Sequence, residues 1–550
     1  MKKKAKILFI YPNERHMSTI PPSIALFSQL LKNEGHSVAL FDTTFYELDD
    51  EIKLKGSDES KVDRLTIRPD ERHYRKDTKV EDTNGKKTLT VKLNPVLEKD
   101  DDVLHFEYIK DNPSVDLRNK IKEFKPDLLA VTCTETTFPR GLKLIKDTKD
   151  MGIPNVFGGV FPTFAPQVCM DIKEIDMCCV GEGEKALINL TNLIAEGKDY
   201  YDVTNLWIRL PDGSIKKNGV TDPVDINTLP PVTDIGLFDK KRFYRPMGGK
   251  IRRLLPVETH RGCPYPCSFC NSPSQNRLYE AQTSKPFFRK KKMSIVKQEI
   301  EEHVKKWKVN YIAFWADTFL AWNNKEFEEF CEMYSEFKIP FWCNTRIETI
   351  SEYKLKKLKD VGLNRISFGF EHGNEKFRRE VVRRNYTNEL AVRLMKIPAQ
   401  LDIDYSVNNI IGFPGETREL AFDTIEVNRQ FEGCDSFTCS VLVPFHGTEI
   451  RQIAEKAGYI NPKQIVSVSN GSATSTLNMP QWRQQDIQNL AKVFTMYVKF
   501  PKSRWPEIKK AEADEKIYRK LHAEFVDTFW STDKNPMSKE VTEAAKGLFA

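Results

Sequence analysis

Cys263, Cys267 and Cys270 stand on one short stretch, Glu258-Thr-His-Arg-Gly-Cys-Pro-Tyr-Pro-Cys-Ser-Phe-Cys-Asn271, spaced C-x-x-x-C-x-x-C with an aromatic, Phe269, before the last thiol. In a reducing compartment such a cluster is a metal or catalytic site more often than a set of disulfide partners. No fourth cysteine or histidine follows at ligand spacing. A structural zinc site is closed by four protein ligands, usually as two paired modules. Three thiolates therefore suggest a 4Fe-4S cluster that leaves one iron open, with a zinc loop completed by His260 as the alternative.

Strand-like segments that could position this loop recur downstream at 256–259, 311–317, 341–346, 366–371, 405–411 and 436–443. Helical patterns lie between them, the clearest being Val296, Ile300, Val304 and Trp307. Strand-helix repetition of this kind predicts a barrel or partial barrel. In 366–371, Ile366, Phe368 and Phe370 share one face, and Ser367, Gly369 and Glu371 share the other. A small, polar inner face leaves room for a ligand. The same alternation groups Trp315 with Asp317 and Asn344 with Arg346, with the charged members at carboxyl ends, where barrel sites are built.

The cysteine motif resembles that of the radical S-adenosylmethionine enzymes, and so do Phe314-Trp-Ala-Asp-Thr-Phe319, Asn344-Thr-Arg346, Phe368-Gly-Phe-Glu-His-Gly373 and Ile410-Ile-Gly-Phe-Pro-Gly-Glu-Thr417. The resemblance implies an open (β/α)6 partial barrel over 251–460 and a 4Fe-4S cluster held by Cys263, Cys267 and Cys270. Its open iron would chelate the methionine moiety of S-adenosylmethionine, which is then cleaved to a 5'-deoxyadenosyl radical. By the same resemblance Asp317 lies near the methionine amino group, Arg346 near its carboxylate, Glu371 near the ribose or amino group, and Gly412 to Glu416 near the adenosine, with Phe269 a further cofactor contact. An electron donor such as flavodoxin or ferredoxin is implied as a partner. Val443-Pro-Phe-His-Gly-Thr448 resembles the turn after the last strand, so His446 is expected in a turn, the alternative being a substrate-side proton donor.

The preceding third of the chain is α/β. Buried-strand runs at 7–11, 38–42, 127–133, 155–157 and 177–180 alternate with helical patterns at Ile24, Phe27, Leu30 and Leu31 and at 141–150. This predicts a doubly wound, Rossmann-like parallel sheet. Such sheets bind ligands at the carboxyl ends of their strands, where Thr132, Thr134, Gly158, Gly159, Pro162, Thr163 and Glu182 fall. Pro126-Asp-Leu-Leu-Ala-Val-Thr132, Phe157-Gly-Gly-Val-Phe-Pro-Thr163 and Val180-Gly-Glu-Gly-Glu184 resemble the cobalamin-binding domain found ahead of many radical S-adenosylmethionine domains. That resemblance makes 1–200 a cobalamin-binding domain. Its usual D-x-H-x-x-G motif is replaced by Glu14-Arg-His16-Met-Ser-Thr19, so His16 is expected in a loop, with cobalt bound without a protein imidazole. Cys178 and Cys179 are expected as buried thiols.

Residues 49–112 are charged and lack periodicity, an insertion with a hairpin signal at Asn84-Gly85. Residues 201–250 read as a connector with a hairpin at 211–214, and 461–550 as a helical C-terminal domain over the barrel mouth with a mobile tail from Ser531. The 550 residues allow roughly three or four domains. A charge of +7 spread over 85 basic and 78 acidic residues gives no argument for nucleic acid. The run Arg289-Lys-Lys-Lys-Met293 is expected as an exposed turn, the alternative being a patch for an anionic substrate. No run approaches the ~18–20 apolar residues of a membrane span, and Pro12 ends the first apolar run too soon for a signal peptide. A cytoplasmic location is expected.

The implied activity is that of a cobalamin-dependent radical S-adenosylmethionine methyltransferase acting on an unactivated carbon of a small-molecule or peptide substrate. A radical rearrangement or cyclisation without methyl donation is the alternative. A tRNA methylthiotransferase would need a second cysteine-bound cluster, which Cys133, Cys169, Cys178 and Cys179 do not form in sequence, and the full cysteine set argues against a non-catalytic cobalamin sensor.

Overall fold

The computed structural model describes residues 4–13, 19–46, 78–83, 86–92, 103–104, 109, 111–247, 250–466, 475–525 and 528–529. His16 and the tail from Ser531 lie outside these residues. So does the Asn84-Gly85 pair, although the flanking strands Thr78–Thr83 and Lys86–Lys92 do form an antiparallel hairpin.

The first sheet has seven strands in the order 215–217, 206–209, 177–179, 155–158, 128–132, 6–11, 37–42. The five from Met177–Cys179 to Ser37–Asp42 are parallel, and Leu206–Arg209 and Ile215–Lys217 add antiparallel at one edge. The start of the expected connector therefore completes the first sheet. Lys6–Tyr11 is apolar along its length because both faces are covered: Ile7 and Phe9 enter one core, Leu8 and Ile10 the other. The core that receives Ile7 and Phe9 runs on into the second domain through Leu255, Ile312 and Phe341, so one apolar interior spans both.

The second sheet orders its strands 244–247, 250–258, 311–315, 341–346, 363–371, 404–411, 436–441. The last six are parallel, matching the six expected segments, and Tyr244–Met247 joins antiparallel at the outer edge. Among the described residues the first and last strands do not pair, so the barrel stays open. The helix Met293–Trp307 buries Val296 and Ile300 as its spacing requires. Ile366, Phe368 and Phe370 are 0% exposed, packed away from the lumen, while the hydroxyl of Ser367 meets Trp342 Nε1 at 2.9 Å and Ser406 Oγ at 2.8 Å.

Three helices follow, Gln484–Lys499, Trp505–Ala511 and Glu515–Phe525. The first packs against strand Ser436–Val441 and helix Arg418–Asn428, and Arg418 pairs with Glu512 at 2.6 Å. They cover the flank of the last strand, and Ile487 of the first helix reaches the turn at Gly412, at the carboxyl end of strand Asp404–Ile411.

Candidate functional site

The cysteine loop leaves strand Lys250–Glu258 and turns at Gly262, which has φ +84° and whose absent Cβ would lie 2.7 Å from Phe287. Cys263 and Cys267 are each 7% exposed. Each sulfur has its own hydrogen-bonding neighbour: Cys263 Sγ lies 3.4 Å from Thr318 Oγ1, Cys267 Sγ accepts from Arg346 Nη1 at 2.9 Å, and Cys270 Sγ accepts from Ser272 N at 3.5 Å. Burial pushes the Cys263 thiol up and Cys270 to about 11. His260 turns away, its Nδ1 2.9 Å from Thr259 Oγ1 and its ring between Phe288 and Trp322. Among the described residues no three His, Cys, Asp or Glu side chains converge on a single ion. Three thiols on one loop, each beside a donor and without a fourth ligand, fit a cluster better than a closed zinc site.

The barrel strands bring the other expected residues to the same end. Asp317 accepts a hydrogen bond from Ser272 Oγ, and burial pushes its carboxyl up. Arg346 lies over the Tyr265 ring at 4.1 Å and also holds Glu348 through Nε and Nη2 at 2.7 and 2.5 Å. Glu371 sits at φ +70°, beside a register irregularity in its strand, and its carboxylate pairs with Arg384 at 3.1 Å. A Cβ on Gly369 would meet Glu371 Oε1 at 2.4 Å and Arg384 at 3.1 Å. The room that Gly369 makes is thus filled by this ion pair. Phe269 packs edge-on to Phe413 and under Arg384.

Glu416 is fully buried; its Oε2 accepts from the N–H groups of Gly412 and Phe413 at 2.6 and 2.9 Å, and its Oε1 lies 3.2 Å from His372 Nε2. It shapes the Gly412 turn from beneath. Trp315, 38% exposed, is the open aromatic of the strand ends.

On the first sheet, Thr134, Gly159 and Val160 are exposed. They lie at the carboxyl ends of their strands, with Thr132 and Gly158 partly exposed beside them. The loops around this surface touch the barrel: Phe161 packs on His446, and Tyr279 Oη accepts from Glu182 N at 2.7 Å. Pro162 and Thr163 lie inside, the Thr163 hydroxyl donating to Gly159 O at 2.8 Å and accepting from Gly181 N at 3.1 Å. Glu182 does not face this surface. Its carboxylate is held by Arg261 at 2.7 Å and Arg289 at 2.6 Å. Cys178 and Cys179 are buried, as expected.

The first three residues of the basic run are paired, and only Lys292, at the helix start, is exposed as expected. Arg289 pairs with Glu182, Lys290 with Glu326, and Lys291 is 5% exposed between Glu258 and Glu299. Sequence reading also missed Glu135, Arg261 and Arg384, whose partners are too distant in the chain to leave a local signal.

Residues 257–427 match the radical SAM superfamily model, and 100–191 match the B12 binding domain model. Anaerobic magnesium-protoporphyrin IX monomethyl ester cyclase of Rubrivivax gelatinosus is 27% identical over 60% of this chain and 59% of its own length. An uncharacterized methyltransferase of Pyrococcus horikoshii is 25% identical over 62% of this chain and 72% of its own. The chain spans roughly half to three-fifths of the length of the cyclases it matches. Among solved structures, the cobalamin-dependent S-adenosylmethionine radical enzyme OxsB superposes with TM-score 0.59 at 12% identity, covering 99% of this chain and 78% of that one.

Proposed function

We propose, from the match of residues 257–427 to the radical SAM superfamily model and of 100–191 to the B12 binding domain model, that this chain is a cobalamin-dependent methyltransferase acting on an unactivated carbon of a small-molecule or peptide substrate. The observation that carries the reading is the apposition of two sites. The exposed Thr134, Gly159 and Val160 surface is flanked by contacts to the barrel, and the turn it touches is bonded to the cysteine loop, Asn271 Nδ2 donating to His446 O at 2.8 Å.

When bound, the 4Fe-4S cluster with S-adenosylmethionine supplies a carbon radical able to take hydrogen from an unactivated C–H bond, and cobalamin supplies a methyl group. Cys263, Cys267 and Cys270 hold the cluster. Arg346 places a permanent positive charge on the Cys267 sulfur. Asp317, the Glu371–Arg384 pair and the Gly412 turn line the strand ends where S-adenosylmethionine is bound and oriented. The apolar interior shared by both domains ties the first sheet to the barrel, and positioning of this kind is the protein's share of such chemistry. Electrons are delivered by a donor such as flavodoxin or ferredoxin.

The test is anaerobic reconstitution with cobalamin and methyl-labelled S-adenosylmethionine. Label in the product together with 5'-deoxyadenosine supports methyl transfer. The relation to the Rubrivivax cyclase favours one second reading, a radical cyclisation. Deoxyadenosine formed with a product free of label would select it. That relative's name makes a magnesium porphyrin the first substrate to supply. Alanine at any of the three cysteines is expected to abolish iron retention and nucleoside formation together.

A further inference from the structure

Glu135 follows Thr134 at the exposed edge of the first sheet and is 4% exposed. A buried carboxylate must have its charge met by donors, and here three of them come from the other domain. His446 N donates to Oε2 at 2.8 Å, His446 Nδ1 to Oε1 at 2.8 Å, and Val466 N to Oε1 at 2.9 Å. Arg451 adds a positive charge 3.9 Å away while binding the carbonyls of Pro444, Asn461, Pro462 and Gln464. The His446 turn is tied in its other direction to the cluster loop: His446 O accepts from Asn271, the residue after Cys270, and Gly447 O accepts from Ser274 Oγ. Cys270, Asn271, His446, Glu135 and Thr134 thus form one unbroken path from a cluster ligand to the cobalamin-facing surface.

We propose that Glu135 is a positioning residue that sets the separation between the corrin and the cluster by clamping the His446 turn. The proposal rests on the cobalamin-dependent reading above. Its logic is geometric: reacting groups must come within about 3–3.5 Å, and a displacement of about 1 Å costs on the order of a hundredfold in rate. A carboxylate with three donors in divergent directions resists such a shift, whereas apolar contact alone permits sliding. No chemical step is assigned to Glu135.

The experiment measures that separation in the full-length holoenzyme. Protein reconstituted with cluster and cobalamin is reduced until both centres are paramagnetic, and pulsed electron paramagnetic resonance gives the distance distribution between them. The variants are Glu135→Ala, Glu135→Gln and, as a stability control off the path, Tyr497→Phe, which removes a hydrogen bond to Glu512. Wild type and Tyr497→Phe are expected to share one narrow distribution. Glu135→Ala is expected to shift or broaden it by on the order of 1 Å, with iron and corrin content unchanged and 5'-deoxyadenosine formation within twofold. Glu135→Gln keeps one acceptor oxygen and should fall between, and it carries the measurement if the alanine variant does not fold. A distribution in either folded Glu135 variant identical to wild type overturns the proposal alone. Wild-type protein that takes up a cluster but no corrin overturns the cobalamin reading and the proposal with it.

Discussion

Arg346 donates from Nη1 to the sulfur of Cys267 at 2.9 Å while its other two nitrogens hold Glu348, so one guanidinium fixes the middle cysteine of the loop to the wall of the barrel. The sequence reading set Arg346 against the carboxylate of S-adenosylmethionine. The structure gives it a sulfur and an acid already, and the Tyr265 face beneath it. A charge-assisted hydrogen bond of this kind contributes about 1.5–3 kcal/mol. Arg346→Ala is therefore expected to lower 5'-deoxyadenosine formation by roughly tenfold to a hundredfold, from that range of energies. Arg346→Lys should not restore it, because an ammonium cannot bond a sulfur and a carboxylate in one plane. Nucleoside yield per cluster, measured on reconstituted protein of equal iron content, checks both.

Glu416 supports the turn at Gly412 by accepting the Gly412 and Phe413 N–H groups on one oxygen. Gly412 has φ +86°, a conformation that needs glycine, so the turn has little freedom to find other partners. Glu416→Ala leaves two backbone donors and His372 without their acceptor, at about 1–3 kcal/mol for each group left buried and unpaired. S-adenosylmethionine affinity is expected to fall at least tenfold, with a lower denaturation midpoint. Glu416→Gln retains an acceptor oxygen and should lose less of both. Equilibrium binding to the reconstituted protein separates a reshaped turn from a merely less stable fold.

These two residues show what the chain discloses locally. The strand at 366–371 was legible because apolar and polar residues alternate with period two, and Ile366, Phe368 and Phe370 pack where that period sends them, while Tyr311–Trp315 was legible as a continuous apolar run. Glu371 was legible only as far as its strand end. The left-handed φ at Glu371 and the register irregularity beside it redirect its carboxylate over Gly369, which strict alternation cannot foresee. Glu135 with His446, 311 residues apart, and Glu182 with Arg289, 107 apart, were not legible at all. Nothing in a list of 78 acids and 85 bases says which will meet. The run Arg289 to Lys291 misled for the same reason, since carboxylates on distant elements pair with each of its members while Lys292 stays exposed.

The Glu182 carboxyl reports the joint between the domains through pH. Burial alone would raise it, but the Arg289 and Arg261 guanidinium groups more than offset that and hold it below its ordinary value of 4.5. A carboxyl depressed in the folded state adds stability that is present above 4.5 and is lost as pH falls through the folded value. Wild-type stability should therefore decline from about pH 4.5 downward, from this residue's ordinary value. Glu182→Gln should remove that part of the decline and cost about 3 kcal/mol at neutral pH by taking the carboxylate from Arg289, while Arg261 keeps Glu184 at 2.6 Å. Denaturant midpoints at pH 4, 5 and 7, about the carboxylate range, check the slope. Equal slopes for the two proteins would show that Glu182 does not set it.

Gly447 of the turn lies against Phe164 of the first domain. A Cβ on Gly447 would lie 2.2 Å from Phe164 Cγ, 2.6 Å from its Cβ and 2.7 Å from its Cδ1, and the glycine has φ +85°. Gly447→Ala thus meets two separate costs, a backbone conformation disfavoured by any side chain, about 1–3 kcal/mol, and a clash that must push the domains apart. Phe164→Ala removes Cγ and Cδ1 but keeps Cβ, so the double variant should recover part of the clash and none of the backbone cost. A double-mutant cycle on thermal midpoints is expected to show a favourable coupling, since the residues touch. Additive effects would mean that the turn moves without dragging Phe164. The His446 turn would then be free to shift against the first domain, and a glycine at 447 would answer only to its own φ.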